Sequence, residues 1–86
     1  MSGDVLARLK HAARFGIVKL SDHAQEEAEN ASAQAKDIEN AITTATSVIE
    51  QRGKRFRLEG GVDVDGDGLG VVVVEVQYGL YVITVF

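Results

Sequence analysis

Two arginines alternate with apolar residues in the segment Lys54-Arg-Phe-Arg-Leu58. This period of two predicts a half-buried strand, with Arg55 and Arg57 on one face and Phe56 and Leu58 on the core face. Two neighbouring guanidinium groups can bind phosphate bidentately, and an aromatic ring such as Tyr78 or Tyr81 can stack on a base. Arg55, Arg57 and Tyr81 are therefore candidate nucleic-acid contacts. The alternative is a solvated strand face whose arginines pair with Glu59 or Glu75.

Acidic residues recur at every second position in Asp63-Val-Asp-Gly-Asp-Gly68. Acids at the first, third and fifth positions followed by Gly at the sixth match the start of a calcium-binding loop. The twelfth position of such a loop is Val74, which has no oxygen on its side chain. Because Asp and Gly are also the usual residues of a tight turn, we interpret the segment as a hairpin turn. Calcium bound by Asp63, Asp65 and Asp67 is the alternative, and no other cofactor is expected.

The run Ser21-Asp22-His23 has the composition of a helix start. Ser21 is a good N-cap, and Asp22 lies in the first turn, where a negative charge favours the helix dipole. His23, Glu26 and Glu27 share one face of the same helix, so an imidazole and a carboxylate can hold a divalent ion or a proton there. We favour a structural His23. Without cysteine or a glycine-flanked serine, covalent catalysis has no support, and no catalytic residue is assigned.

The chain has 86 residues and a net charge of −4, which predicts one small domain spanning residues 1–86. All nine Lys and Arg fall in residues 1–57, whose net charge is +1, whereas residues 58–86 carry −5. An acidic total argues against a general nucleic-acid binder, although it permits a local basic patch. The N-terminus has no signal-peptide pattern, and the longest apolar run is too short to span a membrane. We expect a cytoplasmic protein that does not enter the membrane.

The elements that must position these residues divide the chain into a helical half, 1–46, and a β half, 47–86. Apolar spacing predicts helices over about 4–14, 22–30 and 33–45, with Ser32 capping the last. On that last helix Lys36, Asp37, Glu39 and Asn40 are expected to point outward. Ile17 to Leu20 is an apolar connector, extended or turn-like. Alternating and β-branched segments then predict a meander of three or four antiparallel strands. The fold class is α+β, with two or three N-terminal helices packed on that sheet.

The β half is more apolar than one buried face requires. Val71 to Val74 place two valines on each side of a strand, and Leu80 to Phe86 add further apolar residues. If the helices cover one side, the other is available to a protein partner or to a second copy of the chain. Helices on both sides are the alternative.

Over residues 17 to 86 the chain resembles a family of small bacterial domains of unknown function. The resemblance is carried by four short segments and by their order along the chain. They are Leu20-Ser-Asp-His-Ala24, Lys36-Asp-Ile-Glu-Asn-Ala-Ile42, Arg55-Phe-Arg-Leu-Glu-Gly60 and Tyr81-Val-Ile-Thr-Val-Phe86. Those domains look like distant relatives of RelE/ParE-type toxins, in which helices lead into a small antiparallel sheet.

The resemblance implies a toxin–antitoxin or similar bacterial accessory context. In RelE-like toxins, basic residues on the sheet orient messenger RNA, and Arg55 and Arg57 match them by position. We predict a small non-enzymatic interaction protein that binds a protein partner or itself through its sheet. The alternative is a RelE-like endoribonuclease that cleaves messenger RNA, with Tyr78, Tyr81 or His23 handling protons.

Overall fold

The computed structural model of the protein describes residues 2–86 and has three helices and five strands. In chain order these are α1 (Ser2–Phe15), β1 (Ile17–Leu20), α2 (Asp22–Asn30), α3 (Ala35–Thr44), β2 (Ser47–Gln51), β3 (Arg55–Glu59), β4 (Val71–Val76) and β5 (Gly79–Val85). The predicted α+β class, with N-terminal helices packed on a mostly antiparallel sheet, is confirmed.

The sheet has the strand order β1-β5-β4-β3-β2. Strands β2 to β5 form the antiparallel meander expected of residues 47–86. The fifth strand, β1, pairs in parallel with β5, from Ile17 opposite Gly79 to Leu20 opposite Val82. The sheet therefore has five strands where three or four were expected. The interpretation of residues 17–20 as a connector missed β1 because its pairing partner lies about sixty residues later in the chain.

The helices begin where short-range hydrogen bonds satisfy their first N–H groups. Ser21 caps α2 as predicted, since its Oγ accepts a hydrogen bond from the Ala24 N–H at 3.0 Å. The predicted cap of α3, Ser32, is wrong. Ser32 instead has a left-handed backbone (φ +57°), and α3 begins after Gln34, whose N–H donates to Asp37 Oδ2 at 2.8 Å.

All three helices pack on one face of the sheet. Buried residues of α1, α2 and α3, such as Leu9, Ala24 and Ile42, form a single cluster with alternate residues of the strands. The strand members of this cluster are Phe56, Leu58, Val71, Val73, Leu80, Val82 and Val85. Because successive side chains of a strand point to opposite faces, the intervening residues point away from the helices.

A β-bulge lies in β5, opposite the step from Val72 to Val73. Val72 pairs with Thr84 and Val73 with Val82, so Ile83 is the extra residue. A bulge keeps Val82 and Val85 on the core face although they are three residues apart, and it increases the local twist. Among the residues described, no helix is long and apolar enough to cross a membrane.

Candidate interaction surface

The sheet face that the helices do not cover is called here the open face. Its residues on the strands are Ile17, Lys19, Ser47, Ile49, Gln51, Arg55, Arg57, Glu59, Val72, Val74, Val76, Gly79, Tyr81, Ile83 and Thr84, and the Phe86 ring lies across one end of it. Sequence alternation predicted this face for Arg55 and Arg57, and Tyr81 joins them there. Of the two possibilities for the helices, one face or both, the one-face arrangement is found.

Arg55 and Tyr81 lie in one row across the sheet. Arg55 pairs with Val74, Val74 with Tyr81, and Tyr81 with Lys19 of β1. Since neighbouring strands are about 4.8 Å apart, the backbones of Arg55 and Tyr81 are roughly 10 Å apart. Lys19 was not anticipated, because its place in the row depends on the parallel pairing of β1.

Arg57 lies in the next row and is held by two neighbours. Its Nε donates to Glu59 Oε2 at 3.0 Å, and its guanidinium stacks on the Phe86 ring 4.0 Å from the centroid. The ring covers Gly70, where a Cβ would stand 2.3 Å from the ring atoms. Gly70 and Phe86 also exchange two backbone hydrogen bonds of 2.9 Å. The sequence offered Glu59 and Glu75 as ion-pair partners of the arginines, and Arg57 pairs with Glu59.

Glu75 turns instead toward α1. Arg8 donates to both of its carboxylate oxygens, Nε at 2.8 Å and Nη2 at 2.9 Å. These hydrogen bonds and the nearby negative charge raise the pKa of the Arg8 guanidinium. Glu75 thus ties α1 to β4 and is not a partner of the open-face arginines.

Tyr78, the second candidate aromatic, lies in the turn between β4 and β5 and outside the row. Tyr78 is 39% exposed, and the Lys19 ammonium lies 5.1 Å from the centroid of its ring. Tyr78 and Tyr81 therefore lie at different places relative to Arg55.

The acidic segment forms a turn organised by Asp63. Asp63 Oδ1 accepts hydrogen bonds from the N–H groups of Asp65 and Asp67, both at 2.9 Å, and Gly66 has a φ of +90°. This is the geometry of an Asx-type turn, in which an Asp side chain replaces a backbone acceptor. Across the described residues, no three His, Asp or Glu side chains are grouped as a metal site. The geometry matches the turn interpretation, and calcium binding stays an untested prediction.

Ser21, His23 and Glu27 form what we call the edge cluster, on the outer edge of β5. Strand β1 ends at Leu20, opposite Val82, so this edge of β5 loses its strand partner just where the bulge lies, while β4 continues to pair with the other edge. The Ser21 N–H donates to the Val82 carbonyl at 2.8 Å and the Ser21 hydroxyl to the Ile83 carbonyl at 3.4 Å. Glu27 Oε1 accepts the Val85 N–H at 3.0 Å. The cluster thus supplies the hydrogen bonds that a longer β1 would otherwise make.

His23 contributes to this cluster through Glu27. Its Nε2 lies 3.3 Å from Glu27 Oε1, and its side chain is 68% exposed. Glu26, the other acid considered with His23, is exposed on α2. The arrangement fits the structural interpretation of His23, as an outer contact of the carboxylate that holds Val85. Glu27 as a backbone acceptor was missed, because its partner lies 58 residues away.

Asp37, Asn40 and Thr44 of α3 form a second group, which we call the loop anchor. The sequence predicted that Asp37 and Asn40 point outward, and it gave no role to Thr44. Asp37 accepts from the Gln34 N–H through Oδ2 and from the Val64 N–H through Oδ1, at 2.8 and 3.1 Å. Asn40 donates to the carbonyls of Val62 and Asp63, and Thr44 Oγ1 accepts the Val62 N–H at 2.9 Å. The anchor therefore fixes the β3–β4 connection against α3.

The pKa of Asp37 is lowered, first by the hydrogen bond from the Gln34 N–H and then by that from Val64. Both bonds favour the ionised carboxylate. Asp37 was predicted to point outward, but it is buried.

Residues 20–86 match the model of a protein family described as a domain of unknown function, DUF4258. The chain belongs to this family. The edge cluster, the loop anchor and nearly all of the sheet lie within the matched residues. No curated protein and no solved structure gives a significant match to the chain. The relation to RelE/ParE-type toxins stays a prediction.

Replacing Glu27 with Ala tests the edge cluster. The Val85 N–H would lose its acceptor, which typically costs about 1–3 kcal/mol for a group that water does not reach freely. We expect a lower urea midpoint for Glu27→Ala, whereas Glu26→Ala, an exposed change on the same helix, should stay within about 0.5 kcal/mol of wild type. Equal midpoints for the two variants would contradict the role given to Glu27.

Replacing Asp37 with Asn tests the loop anchor through pH. A lowered pKa in the folded state means that Asp37 stabilises the fold above its unfolded pKa of about 3.9, and that this stabilisation is lost as pH falls through the folded pKa. Asn offers one acceptor oxygen where two N–H groups need acceptors. Urea unfolding should show Asp37→Asn less stable than wild type at pH 7, with the gap narrowing toward pH 3. Glu39→Gln, an exposed change on α3, is the control, and a gap that is constant with pH would refute the account.

Proposed function

We propose that this protein is a small non-enzymatic interaction protein of bacterial type, which binds a protein partner or a second copy of itself through the open face. One observation carries the proposal. The three helices pack on one face of a five-stranded sheet, and the other face presents apolar and basic side chains to solvent.

The apolar residues of the open face extend from one edge strand to the other. Ile17 on β1 is 56% exposed, Ile49 on β2 is 47% exposed, and Phe86 is 46% exposed. Between them Val74, Tyr81 and Ile83 are partly buried. Apolar residues exposed beside polar groups on one face are typical of an interaction site.

The hydrogen bonds of the motif residues support a non-enzymatic role. Ser21 and Glu27 bond to the backbone of β5, and Asp37 and Asn40 bond to the β3–β4 connection. Side chains committed to backbone groups in this way stabilise the fold and are poorly placed to exchange protons with a substrate. A cytoplasmic setting in a toxin–antitoxin or similar bacterial accessory context, as the family resemblance implies, belongs to the same proposal.

The test compares two double variants that add the same charge. Ile17→Glu/Ile49→Glu places two carboxylates on the open face, whereas Gln25→Glu/Asn30→Glu places them on exposed positions of α2. We expect wild type and the α2 variant to self-associate, or to capture the same protein from bacterial lysate. The open-face variant should do so about tenfold more weakly or worse. Self-association is measured by sedimentation, and capture by pull-down from lysate. Both are measured on variants whose circular dichroism spectrum matches that of wild type, so that a loss of binding is not a loss of folding.

Wild type that stays monomeric over a hundredfold range of concentration, and that captures nothing beyond a blank resin, would contradict the proposal. So would equal binding by both double variants.

The alternative is a RelE-like endoribonuclease acting on messenger RNA. The observation that favours it is the row in which Arg55, Tyr81 and Lys19 lie across the open face, since cations beside an aromatic ring suit a nucleotide. In this proposal Arg55 and Arg57 hold phosphates, and Tyr81 or Tyr78 is the proton-handling candidate. His23 lies in the edge cluster, bound to Glu27.

Induced expression in a bacterial host tests the alternative. An endoribonuclease would arrest growth and degrade messenger RNA, and Arg55→Ala/Arg57→Ala would relieve both effects. Arg14→Ala/Lys36→Ala, which removes two charges from helices, would relieve neither. Normal growth with intact messenger RNA for wild type would rule the endoribonuclease out.

A further inference from the structure

The open face is positively charged on an acidic protein. The chain carries a net charge of −4, but the open face holds Lys19, Arg55 and Arg57. Among the described strand residues on this face, Glu59 is the one acid. Arg52 and Lys54 add two further cations in the turn that joins β2 to β3. A ligand of this face is therefore expected to be negatively charged.

Arg57 is already arranged to receive a carboxylate. Its ring contact with Phe86 and its Nε bond to Glu59 fix the plane of the guanidinium. Within the described residues, its two terminal nitrogens donate no hydrogen bond, and its side chain is 38% exposed. A guanidinium held in this way loses little conformational freedom when it binds a carboxylate through two parallel hydrogen bonds.

The size of the open face favours a short segment over a second folded domain. Five strands about 4.8 Å apart span roughly 24 Å, and five residues along a strand span about 17 Å, so the flat outline of the face measures about 400 Å². A stable interface between folded partners typically buries about 800 Å² on each side. A single peptide segment can cover the smaller area.

The side chains around the arginines favour peptide over RNA. Ile49, Val74 and Ile83 are aliphatic, and Tyr81 is the one aromatic ring on the described strands of this face. Sheets that bind single-stranded RNA usually stack two or three bases on aromatic rings. Of the two further rings near the face, Phe86 has the Arg57 guanidinium stacked on it, and Tyr78 lies outside the strands with the Lys19 ammonium 5.1 Å from its centroid.

We propose that the open face binds an acidic amphipathic peptide segment of a partner protein, whose carboxylates pair with Arg57 and Arg55 and whose apolar residues contact Ile49 and Val74. Arg55 and Arg57 are two residues apart on β3, so their backbones are about 6.7 Å apart. Acids four residues apart on a helix are separated by about 6 Å, which matches this spacing. This inference rests on the proposed function and specifies its partner.

The probe is a random peptide library displayed on phage and selected against the immobilised full-length protein. Peptides that bind should be enriched in Asp and Glu beside Leu, Ile, Val or Phe. For a synthesised peptide of this kind, Arg55→Ala/Arg57→Ala should weaken binding about tenfold or more, and added salt should weaken it further. Arg14→Ala/Lys36→Ala is the matched control and should bind as wild type does. Amide chemical shifts should move on β3 and β4.

The possible failures are distinguishable. Peptides that move the β3 and β4 amides but carry no excess of acids, or that bind Arg55→Ala/Arg57→Ala unchanged, would overturn this inference and leave the proposed function standing. If no selected peptide moves those amides, the acidic-segment inference fails whatever the result for self-association. A single-stranded RNA oligonucleotide that binds more tightly than any selected peptide, with the same dependence on Arg55 and Arg57, would assign the face to nucleic acid instead.

Discussion

The architecture depends on how the backbone of β5 is hydrogen-bonded along its two edges. Strand β4 pairs with one edge, but the other edge has β1 for four residues only, as far as Val82. Ser21 and Glu27 complete that edge from α2, through the Val82 and Ile83 carbonyls and the Val85 N–H. An unpaired backbone group in such a position costs about as much as a lost hydrogen bond, so the start of α2 must lie against β5. Ala24 and Ala28 of α2 then pack in the same core cluster as the buried residues of α1 and α3.

The polar residues fall into two kinds, according to whether they satisfy backbone groups that strand pairing leaves unpaired. The serine and the glutamate of the edge cluster are hydrogen-bonded to the backbone of β5, and the residues of the loop anchor to the backbone of the β3–β4 connection. Both groups stabilise backbone that strand pairing does not reach. Those of the open face, Lys19, Arg55 and Arg57, serve no comparable backbone role, and Arg57 is oriented by Phe86 and Glu59 instead. Residue types that suggest chemistry in a sequence, such as Ser, His and Glu in one short run, are here explained by folding. The recognition that we propose involves a face that carries no such motif.

Much of this fold follows from local patterns. The limits of α2, the cap by Ser21 and the shared face of Arg55 and Arg57 depend on residues a few positions apart, and periodicity and capping predicted them. The strand β1, the acceptor role of Glu27 and the buried Asp37 depend on partners 27 to about 60 residues away. No local signal encodes those partners, so β1 was interpreted as a connector and Asp37 as a surface residue. For the same reason Lys19 was not associated with Arg55 and Tyr81.

The exchange of the Val85 amide hydrogen with deuterium tests most directly whether α2 replaces a strand on the edge of β5. If it does, the Val85 N–H is protected in wild type. It should exchange much faster in Glu27→Ala, while an interior amide of α3, that of Ile42, stays protected in both proteins. Unchanged protection of Val85 in the variant would show that Glu27 does not hold this edge, and the structural explanation of the motif would be wrong.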